Sequence, residues 1–407
     1  MCQSLACGLM AIEVRTARDD ERQALHRLSQ QAFAARPAPY EEADDRSTTP
    51  LDRRLVACED GRIVGKLAVW EMGQWFGGRR VPMGGVAGVA VEPFARGRGV
   101  ASALLREALQ AMRERGETIS TLFPMNHRLY RRHGWEVAGA HPESRLDLGA
   151  LQALPAPRRR ATIRPAEPAD LPALRRLHEE VWRDEPGSLW HGPEFARRRM
   201  LPYEGHQDVY VAEREGRVVG FVTVARGDAP DDRGFYTLTV RTYAAIDLDA
   251  ELELFRLLSS YHPVAEVATV VLHQSAATPL YLGERMLRPT GLGWCWMTRL
   301  VDARGAVAAR GYREDVDVEV HLDVHDDSAP WNAGAYVLRV KDGHGSLEPG
   351  GRGQVRVGIG PLAALYTGWA NPRRLRRLGL LDGADEAELA ALEGAFGGRT
   401  PWLQEFF

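Results

Sequence analysis

Arg96-Gly97-Arg98-Gly99-Val100-Ala101 stands between an apolar run, Val86–Val91, and a helical pattern in which Leu104, Leu105, Ala108, Leu109 and Met112 share one face. Glycines at a helix start let backbone N–H groups approach an anion, and the positive end of the helix dipole favours phosphate there. Pyrophosphate fits this chemistry, with the guanidinium groups of Arg96 and Arg98 adding charge. A dinucleotide-binding turn would need GxGxxG after its strand and an acid about 20 residues further on. A nucleoside-triphosphate loop would need Gly-Lys-Ser/Thr. Neither pattern is present. His321 and His325 fall in a strictly alternating run, Val316–Val324 and the residue after it, so they share the wet face of a strand without converging on a metal. No other spacing argues for a metal, and none is expected.

The elements that must position this turn repeat once along the chain. Val14–Phe33 (VRTARDDERQALHRLSQQAF) and Ile163–Trp182 (IRPAEPADLPALRRLHEEVW) each read as a short strand followed by a helix. Leu25 and Leu28 in the first copy correspond to Leu174 and Leu177 in the second, at the spacing of one buried helix stripe. Leu55–Val69 and Val209–Thr223 then match as hairpins turning at Gly61 and Gly216. Pro155–Arg160 (PAPRRR) reads as the linker between the copies. In the second copy, Leu238–Leu248 stands where Val89–Ala101 stands in the first, and no glycine opens its helix, so its phosphate site is expected to be lost.

A third segment begins near Leu300. Strands are expected at Val316–Val324, Tyr336–Val340 and Gln354–Ile359, with a Gly-rich turn region over Asp342–Gly353. Helices are expected at Pro361–Thr367 and Glu386–Phe396. The pattern divides the chain at about 1–155, 156–298 and 299–407.

With 407 residues, 52 Lys+Arg against 55 Asp+Glu and a net charge of −3, the composition is that of a globular protein. It excludes a disordered or fibrous chain and gives no electrostatic case for a nucleic-acid coat. No apolar run is long enough to span a bilayer, and Met1–Met10 lack the pattern of a signal peptide, so a cytoplasmic location is expected. Cys2, Cys7, Cys58 and Cys295 are too scattered for a zinc site or a disulfide framework. Only Lys66 and Lys341 are lysines, so fifty of the 52 basic residues are Arg, a composition bias.

The region Leu55–Gly139 resembles the GCN5-related N-acetyltransferase (GNAT) family. Arg96, Gly99 and Ala101 fill its acetyl-CoA motif, [QR]xxGx[GA], and Leu129–Trp135 supplies its helix with a Tyr followed by a Gly-aromatic pair. The order of two such units, the second degenerate, and a strand-and-helix third domain is similar to the Eis (enhanced intracellular survival) acetyltransferases. The fold implied is α+β: tandem GNAT-fold domains plus a C-terminal sterol-carrier-protein-like domain.

The resemblance implies acetyl-CoA as cosubstrate, held by Val89, Ala90, Val91, Arg96, Gly97, Arg98, Gly99, Val100, Ala101, Ser102, Met125 and Asn126. It implies Tyr130 as the acid that protonates the departing thiolate, which a phenol of pKa near 10 can do. It implies that Phe407 brings the terminal carboxylate to the active site. With a pKa of about 3.5 that group is a weak base on its own, but it can take a proton through water and hold an ammonium. Glu41, Glu42, Asp44 and Asp45 read as a solvated acidic loop that could alternatively gather a polyamine or aminoglycoside. His127 and His133 lie near the motif as surface imidazoles or proton relays. No nucleophile sits in the motif region, so a covalent acetyl-enzyme has no candidate beyond Cys58, which lies in a strand. The expectation is direct transfer to an amine (aminoglycoside, polyamine or lysine-type) by a homo-oligomer, hexameric by resemblance. The alternative is an acyl-CoA- or lipid-binding regulatory protein without turnover.

Overall fold

The computed structural model describes residues 12–33, 49–203, 207–227, 234–272, 281–283, 286–290 and 294–407. Glu41, Glu42, Asp44 and Asp45, like Met1–Met10, lie outside the described residues.

The first unit runs β1 (Glu13–Thr16), α1 (Arg22–Phe33), β2 (Arg54–Glu59), β3 (Arg62–Phe76), β4 (Arg79–Val91), α2 (Val100–Glu114), β5 (Ile119–Leu122), α3 (His127–Arg131), β6 (Glu136–His141) and β7 (Glu143–Asp147). The second runs β8 (Thr162–Pro165), α4 (Leu171–Trp182), β9 (Leu189–His191), α5 (Pro193–Met200), β10 (Asp208–Arg214), β11 (Arg217–Arg226), β12 (Leu238–Ala245), α6 (Leu248–Ser259), β13 (Val267–Val271), β14 (Leu287–Pro289) and β15 (Trp294–Leu300). The third holds α7 (Ala303–Ala309), β16 (Val318–His325), β17 (Gly334–Lys341), β18 (His344–Pro349), β19 (Val355–Gly358), α8 (Ile359–Thr367), α9 (Pro372–Arg377), β20 (Leu381–Asp382) and α10 (Glu386–Phe396).

The repeat read from sequence is a repeat of topology. The first sheet is ordered β1-β2-β3-β4-β5-β15-β6 and the second β8-β10-β11-β12-β13-β7-β14. Position by position these seven-strand orders correspond, with β7 and β15 exchanged between the sheets. β7 follows β6 in the chain but pairs with β13 in the second sheet, while β15 pairs with β5 and β6 in the first. β9 of the second unit also pairs with β3, so the first sheet takes two strands from the second unit and lends it one. The matching hairpins turn alike, on Asp60-Gly61 and Glu215-Gly216, all four residues at positive φ as a two-residue hairpin turn requires.

The Gly-rich stretch Asp342–Gly353 is more than a turn. Asp342 and Gly343 take positive φ and reverse the chain, so residues 344–349 become β18, paired with β17. The other strands and helices expected in the third segment are present, their ends shifted by at most a few residues.

Burial follows the sheets. Leu104, Leu105, Ala108, Leu109 and Met112 of α2 form a buried stripe against the first sheet. The second sheet packs around Phe221, Tyr243, Leu254 and Phe255. The third unit shares a core with the outer face of the first sheet, where Trp70 and Phe76 join Leu322, Leu338 and Tyr366. A fully buried ion pair, Arg299 to Asp326 at 2.5 Å, ties β15 to the third unit.

Candidate active site

β4 and β5 pair in parallel only through Met83–Ile119, Gly84–Ser120 and Gly85–Thr121. β4 continues to Val91, so beyond Gly85 its β5-facing edge has no strand partner among the described residues. A register shift against β3 falls between Lys66 and Ala68, opposite Gly88 and Val89, and Gly88 takes φ 60°. The result is a cleft whose wall is a bulged strand with free backbone groups, over the stretch containing Val89, Ala90 and Val91.

At the mouth of that cleft α2 begins on Gly99, at φ 90° and with no side chain capping it. Gly97 also takes positive φ, and a Cβ on either glycine would meet nothing within 4 Å. The N–H groups of the first helical turn, on Val100, Ala101 and Ser102, thus remain uncapped by any side chain, the cradle an anion needs. Arg96 is exposed and donates from Nε to the carbonyl of Val91 at 3.3 Å. Arg98 is drawn instead to the buried Glu59, 3.0 Å away, which takes up part of its charge. Ser102 bonds the ring of His133 at 3.0 Å, and the other nitrogen of His133 bonds Ser328 of the third unit at 3.0 Å. His133 is therefore a buried bridge between units rather than a surface imidazole. Met125 is 73% exposed at the cleft, and Asn126 caps α3, accepting the N–H of Leu129 at 3.3 Å.

The second unit repeats the splay without the cradle. β12 pairs with β13 only through Leu238 and Thr239, yet runs on to Ala245. Its helix α6 starts on Asp247, whose carboxylate accepts the N–H of Ala250 and pairs with Arg214 and Arg159. A carboxylate occupies the place a phosphate would need.

A cavity of about 700 Å³ lies beside the first cleft. Val86–Val89, Tyr130, Phe123 and Met125 line one side, Ser29 and Lys66 another, and Arg198, Arg199 and Arg241 reach it from the second unit. Phe406 and Phe407 line it too. Tyr130 is buried against Trp135, and that burial pushes its phenol up to about 12. Burial, with Arg54 nearby, holds Lys66 down to about 8, and its ammonium donates to the hydroxyl of Ser29. The ring of Phe407 packs edge-on to Phe123 at 5.6 Å and to Phe195 at 6.2 Å. Cys58 is buried outside this cavity, and burial raises its thiol. The geometry thus brings Tyr130, Phe407, Met125 and Val89 to one cavity, and sets the Arg96–Ser102 turn at the mouth of the same cleft.

Residues 13–138 match the acetyltransferase (GNAT) domain family, and residues 303–404 the sterol carrier protein domain family. The chain is an acetyltransferase whose first unit is a GNAT domain. An uncharacterized N-acetyltransferase of Streptomyces coelicolor is 29% identical over 420 residues, covering 98% of this chain and 100% of that one. A GCN5-related N-acetyltransferase from Anabaena variabilis, 27% identical, superposes with a TM-score of 0.86 over 98% of this chain and 100% of its own. Eis1 from Mycobacterium abscessus, 22% identical, shares the fold with a TM-score of 0.73 over 98% and 100% of the two chains. GNAT acetyltransferases use acetyl-CoA, and the uncapped glycine cradle and the splayed strand suit its pyrophosphate and pantetheine arm.

Sequence reasoning missed Lys66, Arg199, His141 and Glu405. Lys66 carried a signal, being one of two lysines in an Arg-rich chain. The others are brought in by the return of the chain end, which leaves no local pattern.

Proposed function

We propose that this acetyltransferase moves the acetyl group of acetyl-CoA directly onto an amine, within a ternary complex formed in the first GNAT domain. Acetyl-CoA supplies the acyl thioester; the chain's own residues bind, orient and manage protons. The Arg96–Ser102 turn holds the pyrophosphate and the free edge at Val89–Val91 aligns the arm. Met125 and Asn126 flank the arm where the strands part. Tyr130, protonated at any working pH, hands its proton to the leaving thiolate. The carboxylate of Phe407 holds the acceptor ammonium and takes its proton through water. In this reading units 1–155, 156–298 and 299–407 divide the labour as catalytic domain, degenerate partner and C-terminal support, in a cytoplasmic homo-hexamer. Acceptors are aminoglycoside, polyamine or lysine-type amines.

The observation that carries the reading is the contrast between two otherwise matching clefts: an uncapped Gly99 opens one helix and a carboxylate closes the other. The test is release of free thiol from acetyl-CoA with and without a panel of amines. Amine-dependent release, with a mass gain of one acetyl on the amine, supports transfer. Acetyl-CoA binding with no amine-dependent thiol in any arm would leave only a binding protein.

A further inference from the structure

The splayed edge of β12 is filled. Gln404 reaches it from the chain end, its Oε1 accepting the backbone N–H of Tyr243 at 3.3 Å and standing 2.9 Å from the hydroxyl oxygen of Thr242, whose single proton goes to Glu405. Glu405 goes deeper. One carboxylate oxygen, Oε1, receives His178 Nε2 at 3.2 Å, His191 Nε2 at 3.0 Å and the Thr242 hydroxyl at 2.8 Å. Facing a carboxylate, each imidazole nitrogen is the donor. Glu405 is 1% exposed and all its partners are buried. Burial works against its charge, yet His191 and His178 hold it well below the usual carboxylate range. Every partner comes from the second unit: His178 from α4, His191 from β9, Thr242 from β12.

These positions are those of an active site. Gly65 pairs with Val91 and its counterpart Gly220 with Ala245, so Thr242–Ala244 corresponds to Gly88–Ala90 in the first cleft. His178 follows Leu177 as Ser29 follows Leu28, and Ser29 lines the first cavity. The tail therefore enters the second cleft where an acyl arm and acceptor would sit. It is fixed on both sides: Leu403 receives His141 at 2.7 Å on its carbonyl, and Arg199 donates to the carbonyl of Phe406 at 2.5 Å. Only Phe407 lies beyond the last of these, in the first cavity.

We propose that the degenerate domain has become a receptor for the chain's own carboxyl terminus, with Gln404 taking the strand edge and Glu405 the floor of the vestigial cleft, and that this docking sets how far Phe407 reaches into the catalytic cavity. Glu405 is thus a positioning residue: it touches neither cosubstrate nor acceptor and acts through Phe407. The docking stands on the contacts alone; the effect on turnover rests on the role of Phe407 proposed above. A buried carboxylate with three donors fixes the tail because removing it strands those donors without partners. A displacement of ~1 Å in a reacting group can cost on the order of 100-fold in rate.

The experiment compares the native enzyme with Glu405→Ala, and with Glu405→Gln and Thr242→Val as milder changes should the first fail to fold. Timed carboxypeptidase digestion read by mass spectrometry reports release of Phe407. Steady-state kinetics with one good amine report kcat and the KM for acetyl-CoA, in the full-length and Phe407-deleted chains. The expected result is trimming of the variants at least about 10-fold faster, and kcat lower by about 10- to 100-fold at unchanged KM. In the Phe407-deleted chain Glu405→Ala should add no further loss, a non-additivity that general destabilisation does not produce. Trimming at the native rate in every variant overturns the docking. A full additional loss in the deleted chain overturns the positioning role. Faster trimming with undiminished turnover upholds the docking and overturns the catalytic reading of Phe407 instead.

Discussion

Asp247 accepts the backbone N–H of Ala250 at 2.9 Å, so the helix of the second cleft begins on its own carboxylate. The matching helix begins on Gly99, with no such cap. Charge at a helix N-terminus is stabilising when negative, and one negative group excludes another. Gly99→Asp should therefore abolish acetyl-CoA binding while the fold persists, at a cost of about 1–2 kcal/mol for placing an L residue at positive φ. Calorimetry on the native chain should count one site. Two sites, or undiminished affinity in the variant, would remove the basis for assigning the cofactor to the first cleft alone.

Tyr130 stays protonated because burial lifts it to about 12. Tyr130→Phe should lower kcat by about 100-fold and leave the KM for acetyl-CoA unchanged. The alkaline limb of the native rate profile should carry no break from this phenol below about pH 11. A variant that turns over at the native rate would show that the hydroxyl moves no proton.

His133, inside the Ser102–Ser328 bridge, is held down to about 4 by burial and by Arg106, Arg299 and Arg132. An unfolded chain protonates this ring below about pH 6.5, the folded chain only near pH 4, so the unfolded state binds more protons across that window. Stability should fall as pH drops through it, by up to about 3 kcal/mol from this ring. Thermal unfolding of His133→Gln should show a shallower decline over the same range than the native chain. Parallel curves would mean that the ring is not held neutral.

Lys66 and Lys341 can be read together because they are the only lysines. Lys341 is exposed and its pairing with Asp317 raises it, whereas burial holds Lys66 down to about 8. In protein labelled with carbon-13 at lysine Cε, one resonance should titrate near pH 8 and the other above the ordinary lysine value. Two resonances titrating together above pH 10 would contradict the burial of Lys66.

Local pattern made much of this legible. The Arg96–Gly99 turn, the α2 stripe and the paired hairpins at Gly61 and Gly216 depend on neighbours in sequence, and they are found where their spacing places them. β18 was hidden because its residues, His344–Pro349, follow a glycine turn and lack an apolar alternation. The exchange of β7 and β15 could not be read, since a strand's own pattern fixes which face is buried but not which sheet receives it. The same limit hid Glu405: a lone acid before two phenylalanines says nothing of His178 and His191, which lie more than two hundred residues away. Arg98 has a partner that its place in the motif does not announce: Glu59 lies 3.0 Å from it.

The role proposed for Phe407 requires its terminal carboxylate to reach the cavity, which makes position 407 the sharpest test. One added residue moves the terminal carboxylate by up to about 3.5 Å, more than catalytic geometry tolerates. Steady-state turnover of one good amine should be measured for the native chain, a chain extended by a single Gly, and a chain lacking Phe407. The account predicts that both altered chains lose turnover by about 100-fold while their affinity for acetyl-CoA stays native. Equal turnover in all three chains would contradict it.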